Sequence, residues 1–145
     1  MFVNQVLGSY YLTELEINAM ALAVEEVCAN LMIHSHNCNP KEKIELFIDV
    51  QKDKGFTFKI MDKGIGFDFK NYKEPSLQEI IKQKKKGGLG LMLVKRIMDS
   101  VEFTQGNNQN IYMLFKKCSI TWQSLKFPLL KLFIFHKICS LIKIR

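Results

Sequence analysis

Glu26 and Asn30 stand four residues apart, and two glycine-rich stretches follow them, DKGIGFD from Asp62 and KGGLGL from Lys86. A glutamate can accept a proton from an attacking hydroxyl group or water. An asparagine offers a neutral oxygen to Mg²⁺, which takes the rest of its ligands from water and nucleotide phosphates. As an isolated pair, Glu26 and Asn30 would most often be solvent-exposed helix residues, so their interpretation depends on the two glycine stretches.

The first glycine stretch suits the recognition of a nucleotide base. The carboxylate of Asp62 could accept a hydrogen bond from an exocyclic amine, while Gly64 and Gly66 let the backbone approach the ligand closely. Taken alone, Asp and Gly are equally typical of an ordinary turn.

The second stretch suits phosphate. Gly87, Gly88, Leu89 and Gly90 lie at the start of a predicted helix, where free backbone N–H groups and the helix dipole attract anions. Lys86 and the lysines before it add positive charge, although such a run is usually a solvated surface. The spacing does not match a P-loop or the dinucleotide-binding fingerprint. The two stretches together therefore favour nucleotide binding by another kind of site.

The elements that must position these residues follow from the hydrophobic pattern. Apolar residues at spacings of three and four between Ile17 and Leu31 predict a helix, on which Glu26, Asn30 and His34 form a separate row. Alternating patterns predict a hairpin of strands at 44–51 and 56–61, which places Asp62 at a strand end. Further elements are predicted as a short helix from Pro75 to Lys82, a helix over 89–98, and strands at 101–105 and 111–117.

Composition excludes several functional classes. The 145 residues, 48% of them hydrophobic, fit one globular domain. The net charge of +7 belongs to the C-terminal tail, since seven basic residues and no acidic ones follow residue 115. The body is therefore balanced, which argues against nucleic-acid binding.

The four cysteines are widely spaced, which predicts neither a zinc site nor a disulfide framework but reduced thiols in a cytoplasmic protein. No apolar stretch approaches the roughly 20 residues of a membrane span. The expectation is a protein that neither is exported nor spans a membrane.

Read in order, AVEEVCAN, DKGIGFD and GGLGL resemble the N box and the two glycine boxes of the Bergerat-fold ATPases, which include gyrase, histidine kinases and mismatch-repair ATPases. The phrase GGLGLMLVKRIMDSVEF is most similar to the bacterial anti-sigma-factor serine/threonine kinases. The likeness runs from residue 19 to residue 117. It implies a two-layer α/β sandwich, with a mixed sheet covered by helices on one face and ATP held beneath a lid at 69–86.

Carried over by residue, the resemblance makes Glu26 the catalytic base, Asn30 the Mg²⁺ ligand and Asp62 the adenine-reading carboxylate. Gly64 and Gly66 match the first glycine box. Lys86 matches a basic lid residue, and the second glycine box comprises Gly87, Gly88, Leu89 and Gly90.

This chain departs from the family in three places. Family members usually begin with a strand and a longer first helix, so an N-terminal strand is expected to be missing or to lie upstream, which bears on a possible homodimer. A threonine of the last strand commonly supports adenine, and here Asn107 to Asn110 occupies that region. The basic, apolar tail from 118 to 145 follows the predicted domain of residues 1–117 and has no family counterpart. It could pack on the domain, bind a partner, lie on an anionic membrane surface, or have no selected role.

Three functions compete. The first is a serine/threonine kinase that uses ATP and Mg²⁺ to phosphorylate an anti-sigma-factor antagonist, and that regulates a sigma factor by partner switching. The second is a non-catalytic module that binds a partner in a nucleotide-dependent way. The third is the catalytic half of a histidine kinase, which is disfavoured because no phosphoacceptor helix pair precedes the domain.

Overall fold

The computed structural model describes residues 2–51, 54–64, 89–106, 109–118 and 140–143, the last of these as backbone only. This part of the chain contains three α-helices, one π-helical turn and five strands. The predicted helix between Pro75 and Lys82 and the predicted lid at 69–86 fall outside the described residues.

Helix α2 (Glu14–Asn30) is the central helix, and the short helix α1 (Phe2–Leu7) precedes it. A capping box fixes its start: the Thr13 hydroxyl accepts a hydrogen bond from the Glu16 N–H at 3.2 Å, and the Glu16 carboxylate accepts one from the Thr13 N–H at 2.8 Å. A π-helical turn, Leu31–Ser35, continues α2. The helix predicted from the apolar stripe is therefore confirmed, and its buried residues are Met20, Ala21, Ala23, Val24 and Val27.

The sheet has the order β3-β4-β2-β1-β5, and its strands are β1 (Glu45–Gln51), β2 (Gly55–Asp62), β3 (Ser100–Gln105), β4 (Asn110–Lys117) and β5 (Ser140–Lys143). The predicted hairpin of β1 and β2 is confirmed, and so are the two strands after the second glycine box. One detail differs from the expected mixed sheet, because all four strand pairs are antiparallel. The strand β3 runs in the same direction as β2, but β4 lies between them.

The edge strand β5 comes from the tail and pairs with β1. The sheet thus extends beyond residue 117, where the predicted domain ends. That boundary stays a prediction.

The helices cover one face of the sheet. Helix α3 (Leu89–Ile97) packs beside α2, and alternate strand residues face both helices. Large, fully buried side chains at the centre of the resulting core are Met20, Leu31, Phe56, Phe58, Ile60, Tyr112 and Leu114. The fold is the predicted two-layer α/β sandwich. In the described residues, no helix has both the length and the apolar character needed to cross a bilayer.

Candidate functional site

Glu26 and Asn30 lie one turn apart on α2, and both are half-buried. The first turn of α3 approaches this row closely. A Cβ atom added to Gly90 would collide with the Oε2 atom of Glu26, so only a glycine lets the glutamate carboxylate lie against this part of α3. The structure therefore brings together the predicted catalytic base and the described end of the second glycine box. His34, the third member of the row, is exposed.

Asp62 is the last residue of β2, and its side chain is fully buried. Its Oδ2 atom accepts a hydrogen bond from the Gly64 N–H at 2.9 Å. Gly64 in turn packs against the π-helical turn, since an added Cβ would lie 2.9 Å from the Ser35 carbonyl oxygen and 2.8 Å from Asp62 Oδ2. The carboxylate and the first glycine thus form one compact unit at the end of the sheet.

Asn110 holds this unit from the neighbouring strand. It is the residue of β4 directly opposite Asp62, and it is buried. Its side-chain amide donates a hydrogen bond to the Gly64 carbonyl oxygen at 2.8 Å. Asn110 belongs to the Asn107–Asn110 region of the sequence, and the structure shows that its side chain holds the backbone of Gly64.

His36 is the residue that sequence reasoning missed. Its side chain is only 4% exposed, and its Nε2 atom lies 2.9 Å from Asp62 Oδ2. The other ring nitrogen, Nδ1, lies 3.8 Å from the Glu42 carboxylate. His36 directly follows the π-helical turn Leu31–Ser35, and residue spacing gives no signal that its side chain faces Asp62.

A cavity of about 340 Å³ adjoins these groups. It is lined by Ser35, His36, Asn37, Asn39, Glu42, Lys63 and Gly64. It does not extend to Glu26 or Asn30, and Asp62 itself does not line it. It adjoins Asp62 through His36 and Gly64, at the predicted base end of the site.

The described residues suit a nucleotide at the base end. Asp62 Oδ1 and Ser35 Oγ are buried and have no hydrogen-bond partner within the described part of the chain. Buried polar atoms are normally paired, so these two atoms are suited to receive a ligand. Residues 26 and 30 would face the phosphates, where the Asn30 oxygen could serve Mg²⁺. In the described ranges, no group of three or more His, Cys, Asp or Glu residues is arranged so that it could hold a metal ion.

The predicted site residues divide into two sets. The structure describes Glu26, Asn30, Asp62, Gly64, Leu89 and Gly90. Gly66, Lys86, Gly87 and Gly88 fall outside the described residues, and their assignment stays a prediction.

Residues 1–116 match the family described as histidine kinase-like ATPase domain. Among curated proteins, the chain is similar to the serine-protein kinase RsbW of Bacillus pumilus, with 31% identity over 104 residues, 68% of this chain and 64% of that protein.

Two further relatives carry the same name. The protein of Bacillus velezensis is 28% identical over 103 residues, 68% of this chain and 63% of the relative. That of Bacillus cereus is 24% identical over 102 residues, 68% of this chain and 62% of the relative. The chain thus spans less than two thirds of the length of these curated relatives.

Proposed function

Because the chain belongs to the family of histidine kinase-like ATPase domains, we propose that it is an ATP-dependent protein serine/threonine kinase of the anti-sigma-factor type. The observation that carries the proposal is the contact between Glu26 and Gly90, which holds a carboxylate at the start of α3. The name of these relatives, serine-protein kinase, supports the choice of a serine as the phosphoryl acceptor.

ATP would lie along α2, with its base at Asp62 and its phosphates near Gly90. Asp62 supplies a buried acceptor for the base amine, and Gly64 keeps the adjoining backbone close to it. At the other end, the first backbone N–H groups of α3 favour the negative phosphates. Lys86 and the glycines before α3 would complete this phosphate site.

Glu26 would act as the general base. Its carboxylate would accept the proton of the serine hydroxyl as the hydroxyl oxygen attacks the terminal phosphorus atom of ATP. Asn30, one turn later, would hold Mg²⁺, which neutralises charge on the phosphates when bound. Catalysis of this kind depends mainly on positioning and charge stabilisation.

The partners follow from the family resemblance. We propose that the phosphoryl acceptor is an anti-sigma-factor antagonist and that phosphorylation controls which partner, antagonist or sigma factor, the chain binds. A cytoplasmic location is part of this proposal, as is a possible homodimer. No role in nucleic-acid binding is proposed.

The test is phosphoryl transfer from radiolabelled ATP, with Mg²⁺, to a panel of purified anti-sigma-factor antagonist proteins. Glu26→Gln removes the base without changing side-chain volume and should lower the transfer rate by about 10² to 10⁴. Glu25→Gln is a matched control, because Glu25 is the exposed neighbour on the same helix and should leave the rate unchanged.

Two outcomes would contradict the kinase proposal. In the first, the protein binds ATP but labels no serine in any antagonist, which would favour the non-catalytic, nucleotide-dependent binding module. In the second, Glu26→Gln and Glu25→Gln transfer phosphate equally fast, which would remove Glu26 from the reaction.

A further inference from the structure

The two oxygen atoms of the Asp62 carboxylate have different surroundings. Oδ2 lies 2.9 Å from both the Gly64 N–H nitrogen and the His36 Nε2 atom. Oδ1 is buried and has no hydrogen-bond partner within the described residues. One oxygen is therefore engaged by the protein, and the other has no protein partner in the described part of the chain.

The contact with His36 bears on the orientation of this carboxylate. The Asp62 side chain is 0% exposed, and a carboxylate in such surroundings is costly to keep ionised unless a positive or donating group stands beside it. The His36 Nε2 atom lies 2.9 Å from Oδ2, but it makes no hydrogen bond within the described residues. Because both side chains are buried, the ring limits how far the carboxylate can rotate.

The other edge of the His36 ring also faces a carboxylate. Its Nδ1 atom lies 3.8 Å from the Glu42 carboxylate, so the ring lies between two carboxylates. Lys63, which lines the same cavity, is exposed and belongs to the loop beyond Asp62.

We propose that His36 is a specificity-determining positioning residue, which lies against Oδ2 of Asp62 and holds the carboxylate so that Oδ1 reads a purine nucleotide bearing a 6-amino group. This inference rests on the proposed nucleotide-binding function and deepens it. An ionised carboxylate only accepts hydrogen bonds, so it pairs with the amino group of adenine. It rejects a 6-oxo purine, whose oxygen would face Oδ1 as a second acceptor.

Without His36, the preference for a 6-amino purine over a 6-oxo purine should weaken. The Oδ2 atom would keep the hydrogen bond from the Gly64 N–H but lose the contact with the His36 ring, so the carboxylate could rotate. A rotated carboxylate would no longer hold Oδ1 opposite the 6-amino group, so ATP would lose more affinity than a 6-oxo purine nucleotide. His36 thus influences which base fits, without itself contacting the phosphates or the reacting atoms.

The experiment compares two ligands that differ only in the base, ATP and inosine triphosphate, by titration calorimetry with Mg²⁺. We expect His36→Leu to lower the ratio of the two affinities by about tenfold, the effect of one hydrogen bond to a charged group. His36→Gln retains a neutral donor and should lower the ratio less. His34→Gln is the control, because His34 is exposed in the same π-helical turn and should leave the ratio unchanged.

Circular dichroism establishes that each variant is folded. If His36→Leu does not fold, the affinity ratio of His36→Gln tests the inference. An unchanged ratio in a folded His36 variant would overturn the inference while leaving ATP binding in place. If the wild-type chain binds neither ligand, the proposed function and the inference fail together. A merely structural role for His36 would weaken both ligands equally and would not change the ratio.

Discussion

Gly90→Ala should slow phosphoryl transfer without lowering the stability of this protein. A Cβ atom at residue 90 would meet the far end of the Glu26 side chain, which is flexible and can swing away. The backbone therefore needs no rearrangement. Because alanine is a better helix former than glycine, the free energy of unfolding should stay the same or rise by up to about 1 kcal/mol.

The effect on phosphoryl transfer should be much larger. The Glu26 oxygen must retreat by about 1 Å to reach ordinary van der Waals distance from the new methyl group. A misplacement of about 1 Å can slow an enzymatic step by about 10²-fold, which corresponds to about 2.7 kcal/mol of activation free energy. The assay is single-turnover transfer at saturating ATP, with urea denaturation measured in parallel.

A double-mutant cycle tests whether the effect passes through Glu26. In the Glu26→Gln background, Gly90→Ala should slow the reaction no further, because the displaced group no longer acts as a base. Two results would refute the reasoning. One is a wild-type transfer rate in Gly90→Ala, and the other is an equal loss of rate in both backgrounds.

Three further predictions concern Asn110, the start of α2 and the reactivity of Cys28. Asn110→Ala should lower the free energy of unfolding by about 1 to 3 kcal/mol and weaken ATP binding, because the partly buried Gly64 carbonyl loses its hydrogen-bond donor. Urea denaturation measures the stability and calorimetry measures the affinity for ATP, and an unchanged affinity would contradict the prediction. Thr13→Ala removes the N-cap of α2 and should lower the free energy of unfolding by about 1 kcal/mol at pH 7. Hydrogen bonds from Thr13 lower the pKa of Glu16 from its ordinary value of 4.5. The stability that these bonds to the ionised carboxylate contribute is therefore present above pH 4.5 and is lost as the pH falls through the lowered pKa. If the stability difference between wild type and Thr13→Ala stayed unchanged in strong acid, it would argue against this account. Burial, with the nearby charge of Glu25, raises the pKa of Cys28 to about 11, so iodoacetamide at about pH 8 should label the exposed Cys38 in the native protein and Cys28 only after unfolding; mass spectrometry of the peptides measures this, and rapid labelling of Cys28 would contradict it.

The sequence predicts the regular elements well because each carries a long periodic pattern. Seventeen residues of α2 repeat the apolar stripe several times, and the alternation in β2 continues up to Asp62. The position of Asp62 at a strand end follows directly from that alternation. Helix α1 has six residues, which are too few to show a period.

The features that the sequence did not predict depend on backbone geometry and strand pairing, which a periodic residue pattern does not indicate. After Leu31 the backbone changes from α-helical to π-helical hydrogen bonding, so an α-helical projection misplaces the side chains that follow. His36 therefore reaches Asp62 without any signal in the residue spacing. Asn110 acts through cross-strand pairing with Asp62, and β5 joins the sheet across a long sequence separation. Such long-range contacts are properties of the folded chain.

The central claim is that Asp62 reads the base of ATP and that Asn30 serves Mg²⁺ at the phosphate end. ATP titration with and without Mg²⁺, for wild type, Asp62→Asn and Asn30→Ala, tests it most directly. The account predicts that Asp62→Asn abolishes binding, and that Asn30→Ala retains binding but loses its dependence on Mg²⁺. Unchanged binding in both variants would contradict the account.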